Sequence, residues 1–324
     1  MTVNIRARRR DVLVVGAYFA DLVFHGLPQR LRTGGEVFAE GLGLAPGGAY
    51  TLAMAVHRLG QDVVWATDFG ADPFSAQVLS AARREGLDEA AFRHHPTPQR
   101  SLTVALSGDG GRTMISFQDP APPQPLSRLL HEHLPRVLML PQLRYGDDML
   151  AALQVARRLG SMVVMDCQDV PADLGTPGVR EALALVDVFL PNEAEALHLT
   201  GAATLDEALR VLAEVTGTVV VKRGAQGATA VRHGERHDVP APVVEAFDTT
   251  GAGDCFNAGF VHGLLAGWEL ADCLAAAVAC GAAATAGPGS TTAPTHTELH
   301  ARLGHALPAP RADRPSSPSA EGRV

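Results

Sequence analysis

Asp248-Thr-Thr-Gly-Ala-Gly-Asp-Cys-Phe-Asn-Ala-Gly-Phe260 decides how this chain is read. It is a turn of small residues running straight into a helix, with the Asp254 carboxylate in that helix's first turn. Gly251, Ala252 and Gly253 let a ligand approach the backbone, and the free N–H groups of a helix start hold anions well. A carboxylate there repels a resident phosphate. It makes sense where the anion is the group being moved and Asp254 takes a proton from an attacking hydroxyl. The plainer reading is a Gly-capped helix whose Asp complements the helix dipole.

Outward from this run, the composition narrows the choices. With 324 residues and 46% apolar content, the chain can bury a large α/β core. A net charge of −8 argues against nucleic acid or an anionic membrane as the main partner. No apolar run reaches the roughly 20 residues that span a bilayer. The basic stretch Arg6 to Arg10 lacks a following cleavage site of small residues, so no signal peptide is expected. Cys167, Cys255, Cys273 and Cys280 show no CxxC spacing and read as buried free thiols of a cytoplasmic protein.

Short β-rich runs alternate with Ala/Leu-rich helical runs, which predicts a mostly parallel sheet with helices on both faces. Strands are expected at Val12–Val15, Val63–Ala66, Val137–Leu140, Met162–Met165, Val188–Leu190 and Val219–Lys222. Helices are expected at Tyr50–Leu59, Phe74–Glu85, Gly146–Leu159, Asp206–Glu214, Ala252–Ala266 and Ala271–Ala286. Leu22–Pro46 and Arg100–Phe117 break the alternation with near period-two patterning, and Gly108-Asp-Gly-Gly111 reads as a hairpin turn. Residues 308–324 are rich in Pro, Ser, Ala and Arg and are expected to be a disordered tail. His131/His133 and the i,i+4 pair His296/His300 have no third ligand at metal-binding spacing and read as surface histidines.

The thirteen-residue run closely resembles the signature of the PfkB/ribokinase family of carbohydrate and nucleoside kinases. That resemblance extends from about Asp11 to Leu307. It implies a ribokinase-like three-layer α/β sandwich over residues 11–307, with a mostly parallel central sheet. A small β lid would be built from strands within about 22–46 and 100–117. It also implies a kinase that phosphorylates a primary hydroxyl of a sugar, sugar acid or related polyol, using ATP and Mg²⁺, with K⁺ as a further cofactor. Asp254 would be the base, and Gly251, Ala252 and Gly253 the anion hole.

Further motifs carry the resemblance residue by residue. Val14-Val-Gly-Ala-Tyr-Phe-Ala-Asp21 resembles the first sugar-contact element, with Asp21 accepting hydrogen bonds from substrate hydroxyls. Pro46-Gly-Gly-Ala-Tyr-Thr51 is similar to the N-terminal signature, in which Gly47 and Gly48 hinge the lid and Thr51 stands where the family usually has Asn. Pro191-Asn-Glu-Ala-Glu195 resembles the NxxE element, which places Asn192 beside ATP and Glu195 on Mg²⁺ through water; the same spacing also makes a capping box. Val221-Lys-Arg-Gly-Ala-Gln-Gly227 resembles the turn beside the triphosphate, with Lys222, Arg223, Gly224 and Gly227 as ATP contacts; Lys at position 222 is common among the group's sugar-acid kinases. Ala279–Ser290 is similar to the segment framing adenine, and Asp248, Thr250 and Ser290 would lend oxygens to K⁺. Asp166 falls where the family has a carboxylate at the rim.

Two rivals stand beside this reading. Tyr18, Phe19 and Tyr50 flank the expected sugar site and could stack on the base of a nucleoside. A non-catalytic sugar-responsive binder is the other, although a binder gains nothing from a base beside an anion hole. Lid strands in this family often pair across a homodimer, which would cover an exposed edge here.

Overall fold

The computed structural model describes residues 9–27, 34–108, 111–168 and 171–304. The expected tail 308–324 and the domain end at Leu307 lie outside them, as do the two turn residues 109–110.

The chain opens with β1 (Val12–Val15), then enters the lid through β2 (Tyr18–Leu27) and β3 (Gly41–Gly48). It returns through α1 (Ala49–Arg58), β4 (Val63–Phe69), α2 (Pro73–Glu85) and the short β5 (Phe92–His94). A second excursion adds the lid strands β6 (Ser101–Gly108) and β7 (Gly111–Gln118), which meet at Gly108 and Gly111 as an antiparallel hairpin. From there the parallel winding is regular: α3 (Leu126–His133), β8 (Val137–Leu140), α4 (Asp147–Arg158), β9 (Met162–Asp166), α5 (Val179–Leu183), β10 (Val188–Leu190), α6 (Glu193–Thr200), α7 (Leu205–Ala213) and β11 (Thr218–Lys222). The antiparallel pair β12 (Ala228–Arg232) and β13 (Glu235–Val239) ends the sheet, and α8 (Ala252–Ala266), α9 (Leu270–Ala284) and α10 (His296–Leu303) follow.

The main sheet runs β13-β12-β11-β10-β9-β8-β1-β4-β5, parallel from β11 to β5. The lid is a separate sheet ordered β3-β2-β6-β7. β1 shows why the molecule has three layers. Val12 and Val14 face one core with α1, α8 and α9, while Leu13 and Val15 face a second core with α3 to α7. An all-apolar strand is what burial on both faces demands.

The expected α/β fold with a β lid is therefore what the chain adopts. The six strands and six helices read from periodicity are present, with ends shifted by a few residues at most. β5, β12 and β13 went unread. β5 has only three residues, and Glu235-Arg-His-Asp-Val239 is a polar edge strand with little apolar patterning. All four cysteines are free and buried. Among the described residues, no helix is long and apolar enough to cross a membrane.

Candidate active site

Strand order reverses around β1, which lies between β4 and β8, and open α/β sheets bind ligands outside the carboxyl ends of strands near such a point. Two clefts open there. The first, of about 360 Å³, lies between the lid base and the ends of β1, β4 and β8, and Asp254 reaches it. The second, of about 420 Å³, has a mainly apolar wall that includes Val243, Val244, Phe256 and Val278, with Lys222 at one end. Ala252 and Gly253 line the second cleft, so consecutive residues of one helix start serve both.

The helix start itself is open. Gly251 is the N-cap of α8 in the left-handed region, at φ 70°, and no side chain caps the first turn. A Cβ at Gly251 would strike Ser290 Oγ and lie 2.7 Å from the Thr51 methyl. Gly251→Ala is therefore expected to lower stability by about 2–3 kcal/mol, through left-handed strain plus the clash. Denaturant midpoints would measure this, and turnover should fall because the turn must move.

Asp254 lies in that first turn. Burial pushes its carboxyl up to about 7; the Asp166 and Asp21 carboxylates push the same way, and Lys222 opposes them. The Lys222 ammonium is 2.6 Å from Asp166 Oδ2, and Asn257 Nδ2 donates to the same oxygen at 2.6 Å. A Cβ at Gly253 would lie 3.7 Å from Lys222 Nζ, which puts the cation beside the open helix start. Asp166, itself fixed by Asn257, thus holds Lys222 at the junction of the two clefts. Asn257 had no stated role in the sequence reading, although its place one helical turn after Asp254 puts it on the same face.

The other expected site residues are distributed as follows. Asp21 is buried, and its carboxylate fills the space a Gly47 side chain would need. Gly48, at φ 62°, is the N-cap of α1 and lines the first cleft. Thr51 is buried beneath the Gly251 turn, outside the lining of both clefts. Asn192 and Glu195 form the capping box: Asn192 Oδ1 accepts from Glu195 N–H and Glu195 Oε2 accepts from Asn192 N–H. A β-bridge between Asn192 and Lys222 sets this helix start beside the second cleft. Gly224 and Gly227 line that cleft, and a Cβ at Gly227 would collide with Val239 O. Arg223 turns toward Glu193 and Gln226 and does not line the cleft. Asp248, Thr250 and Ser290 do converge. Asp248 Oδ1 accepts from Thr250 N–H and Oγ1, Asp248 Oδ2 from Gly289 N–H, and Thr250 O from Ser290 Oγ.

The first cleft holds residues that no motif marked. Thr67 Oγ1, Gln99 Oε1 and Ser101 Oγ are buried without hydrogen-bond partners among the described residues, and all three residues line it. Orphaned acceptors and hydroxyls cost stability unless a ligand satisfies them. Arg144 also lines this cleft. It has no carboxylate partner among the described residues, and burial lowers its pKa from the usual arginine range. Of the carboxyl groups in the lining, Asp68 and Asp119 are paired with Arg93 and Arg100, and Asp254 is the third.

The aromatic trio is mostly committed elsewhere. Tyr18 lines the cleft but stacks on Phe69, and its hydroxyl bonds Ser75 and Gln99 O. Tyr50 packs edge-on to Trp65 in the core. Only Phe19 of the three keeps its ring at the cleft without such a partner among the described residues.

Residues 10–298 match the family model for the pfkB family carbohydrate kinases. A ribokinase from Haemophilus influenzae is 29% identical over 270 residues, which cover 79% of this chain and 86% of that protein. A fructokinase from Klebsiella pneumoniae is 32% identical over 276 residues, covering 76% and 88%. The structure of Arabidopsis thaliana ribokinase complexed with ribose and ATP superposes with a TM-score of 0.76 at 21% identity, covering 90% of this chain and 98% of that one.

Proposed function

The chain belongs to the pfkB family of carbohydrate kinases, and we propose that it transfers the γ-phosphoryl group of ATP to a primary hydroxyl of a sugar acid or a closely related anionic sugar. One observation carries this: two clefts of opposite character meet at a single uncapped helix start, with Asp254 on one side and Gly253 and Lys222 on the other. The apolar cleft suits a nucleotide base. The polar cleft suits a hydroxylated acceptor.

In the reaction, Asp254 removes the proton of the acceptor hydroxyl as its oxygen bonds to the γ-phosphorus. The bond from that phosphorus to the oxygen of departing ADP breaks, and Asp254 later releases its proton to water. A carboxyl with a pKa of about 7 is well matched to this role near neutral pH. The backbone N–H groups of Gly251, Ala252 and Gly253 take the developing negative charge, a contribution of roughly 3–4 kcal/mol in comparable oxyanion holes. Lys222, held by Asp166, which Asn257 fixes in turn, adds a cation beside them.

Glu195 fits a water-mediated Mg²⁺: it is a half-buried carboxylate on a helix start beside the Lys222 strand, and the ion would neutralise phosphate charge there. Asp248, Thr250 and Ser290 offer clustered oxygens for K⁺ beside the anion-hole turn. Asp21 is buried on the lid side outside the cleft lining, but its charge is felt at Asp254, and there it would accept a hydrogen bond from an acceptor hydroxyl.

Arg144 favours an acid among the acceptors, because a half-buried guanidinium without a counter-charge among the described residues calls for a carboxylate or phosphate from the ligand. The commitments of Tyr18 and Tyr50 count against a nucleoside base in this cleft. The intact base at the junction counts against a mere binder. The test is ADP release from Mg-ATP with K⁺ across neutral sugars, sugar acids, sugar phosphates and nucleosides. We expect the acids or phosphates to turn over fastest; turnover confined to nucleosides would overturn the assignment.

The lid exposes Leu42, Leu44, Ile115 and Phe117. An apolar sheet surface of this kind supports pairing of two lids in a homodimer. Wild type should run as a dimer in light scattering, and Leu44→Asp should shift it to monomer. A monomeric wild type at micromolar concentration would contradict this.

A further inference from the structure

His296 and His300 lie one helical turn apart on α10, and the fold brings a third imidazole to them from α8. The ligand-capable ring nitrogens of His262, His296 and His300 all lie within 4.8 Å of one another. The expectation that the α10 pair stands alone fails for a simple reason: the third residue is 34 positions earlier and arrives by helix packing, so no local spacing encodes it. His262 is 4% exposed, and its Nε2 is buried without a hydrogen-bond partner among the described residues; the Nε2 of His300 is in the same state. Two orphaned imidazole nitrogens in one cluster are unusual in a folded interior.

We propose that His262, His296 and His300 form a binding site for one divalent transition metal of the zinc class, separate from the phosphoryl-transfer site, that clips α10 against the C-terminal half of α8.

Imidazole is a good ligand for Zn²⁺, Ni²⁺ and Cu²⁺ and a poor one for Mg²⁺, so the site does not compete for the ion expected near phosphate. Three histidines leave a fourth tetrahedral position for water. Zn–N bonds of about 2.0–2.1 Å require nitrogens roughly 3.4 Å apart, so binding asks for about an ångström of ring movement. His296 is on the surface and free to supply it. A second shell is already present. The Gln61 amide nitrogen is 2.8 Å from His262 Nδ1, an arrangement in which the amide donates and the ring proton sits on Nε2. Metal binding calls for the Gln61 amide to flip, so that its oxygen accepts from Nδ1–H and the Nε2 lone pair is free. Trp268 packs edge-on at 5.3 Å from His262 and 5.7 Å from His300, and shields one side from solvent. Burial and the neighbouring imidazoles hold the His262 pKa down at about 4, so its ring is a neutral donor near pH 7.

The test uses the full chain without an affinity tag. Titration with Zn²⁺ by calorimetry should give one site per chain with a Kd in the micromolar range or tighter. Co²⁺ should develop visible bands of a tetrahedral nitrogen-ligated ion. At a hundredfold excess over Kd, Zn²⁺ should raise Tm by roughly 3–5 °C. The double variant His296→Ala/His300→Ala alters one turn of a partly exposed helix and should fold. It should lose the stoichiometric Zn²⁺ heat, the Co²⁺ bands and the Tm rise, while keeping the metal-free Tm near wild type and Mg-dependent turnover unchanged. The single variant His262→Gln should lose Co²⁺ bands as well. Absence of a one-to-one Zn²⁺ site below 1 mM, or a double variant that binds Zn²⁺ as wild type does, would overturn the proposal; the latter result would point to Zn²⁺ at the phosphoryl-transfer site instead.

Discussion

Replacing Asp254 with Asn should reduce turnover by about 10² to 10⁴-fold, the range for losing a positioned proton acceptor, while nucleotide binding stays close to wild type. The separation arises because Asp254 faces the polar cleft whereas the cleft proposed for the nucleotide is lined by its neighbours Ala252 and Gly253. The same substitution should stabilise the fold. An unfolded Asp titrates near 3.9, and Asp254 is held up at about 7 by burial and by the Asp166 and Asp21 carboxylates. The folded state therefore binds the proton more tightly, and its disadvantage grows as pH rises from about 4 to 7 and is complete above 7. An uncharged Asn avoids that disadvantage. A shift of roughly three units corresponds to at most about 4 kcal/mol, and partial exposure to the cleft reduces it to on the order of 1–3 kcal/mol. Denaturant midpoints at pH 8 should favour the variant, and the gain should shrink to less than half at pH 5. A variant less stable than wild type at pH 8 would mean that Asp254 is not held in a hostile environment.

Arg144→Gln should separate acceptors by charge. Against an acidic acceptor, kcat/KM should fall roughly 10- to 100-fold, the value of a charge-assisted hydrogen bond. Against a neutral sugar of the same shape it should change little. Stability should hold or rise slightly, since the variant removes a half-buried guanidinium with no carboxylate partner among the described residues. An equal loss on neutral and acidic acceptors would assign Arg144 to cleft architecture and withdraw the support for an anionic substrate.

Most of the fold was legible because its strands are short apolar runs buried on both faces, and its helices carry clear apolar periodicity. The turn proposed as the anion hole was legible for a local reason: small residues and a carboxylate at fixed offsets in one helix start. Residues acting across the chain were harder to read. Thr67, Gln99, Ser101 and Arg144 sit on separate elements with no spacing in common, and only the lid folding over the strand ends brings them together. Asn192 and Glu195 show how one local pattern serves two readings. Their spacing makes a capping box, which is present, and the bridge to Lys222 that bears on a metal role is a long-range contact. The histidine cluster likewise depends on packing of α8 against α10. In each case the missing information is tertiary.

The most direct test of the account is the pH dependence of single-turnover phosphoryl transfer, with wild type at saturating Mg-ATP and its best acceptor. Transfer limited by proton removal at Asp254 should fall below neutrality with a slope of one and an apparent pKa near 7. A transfer rate that stays flat from pH 5 to 9 would contradict the role of Asp254 as the proton acceptor, and with it the proposed mechanism.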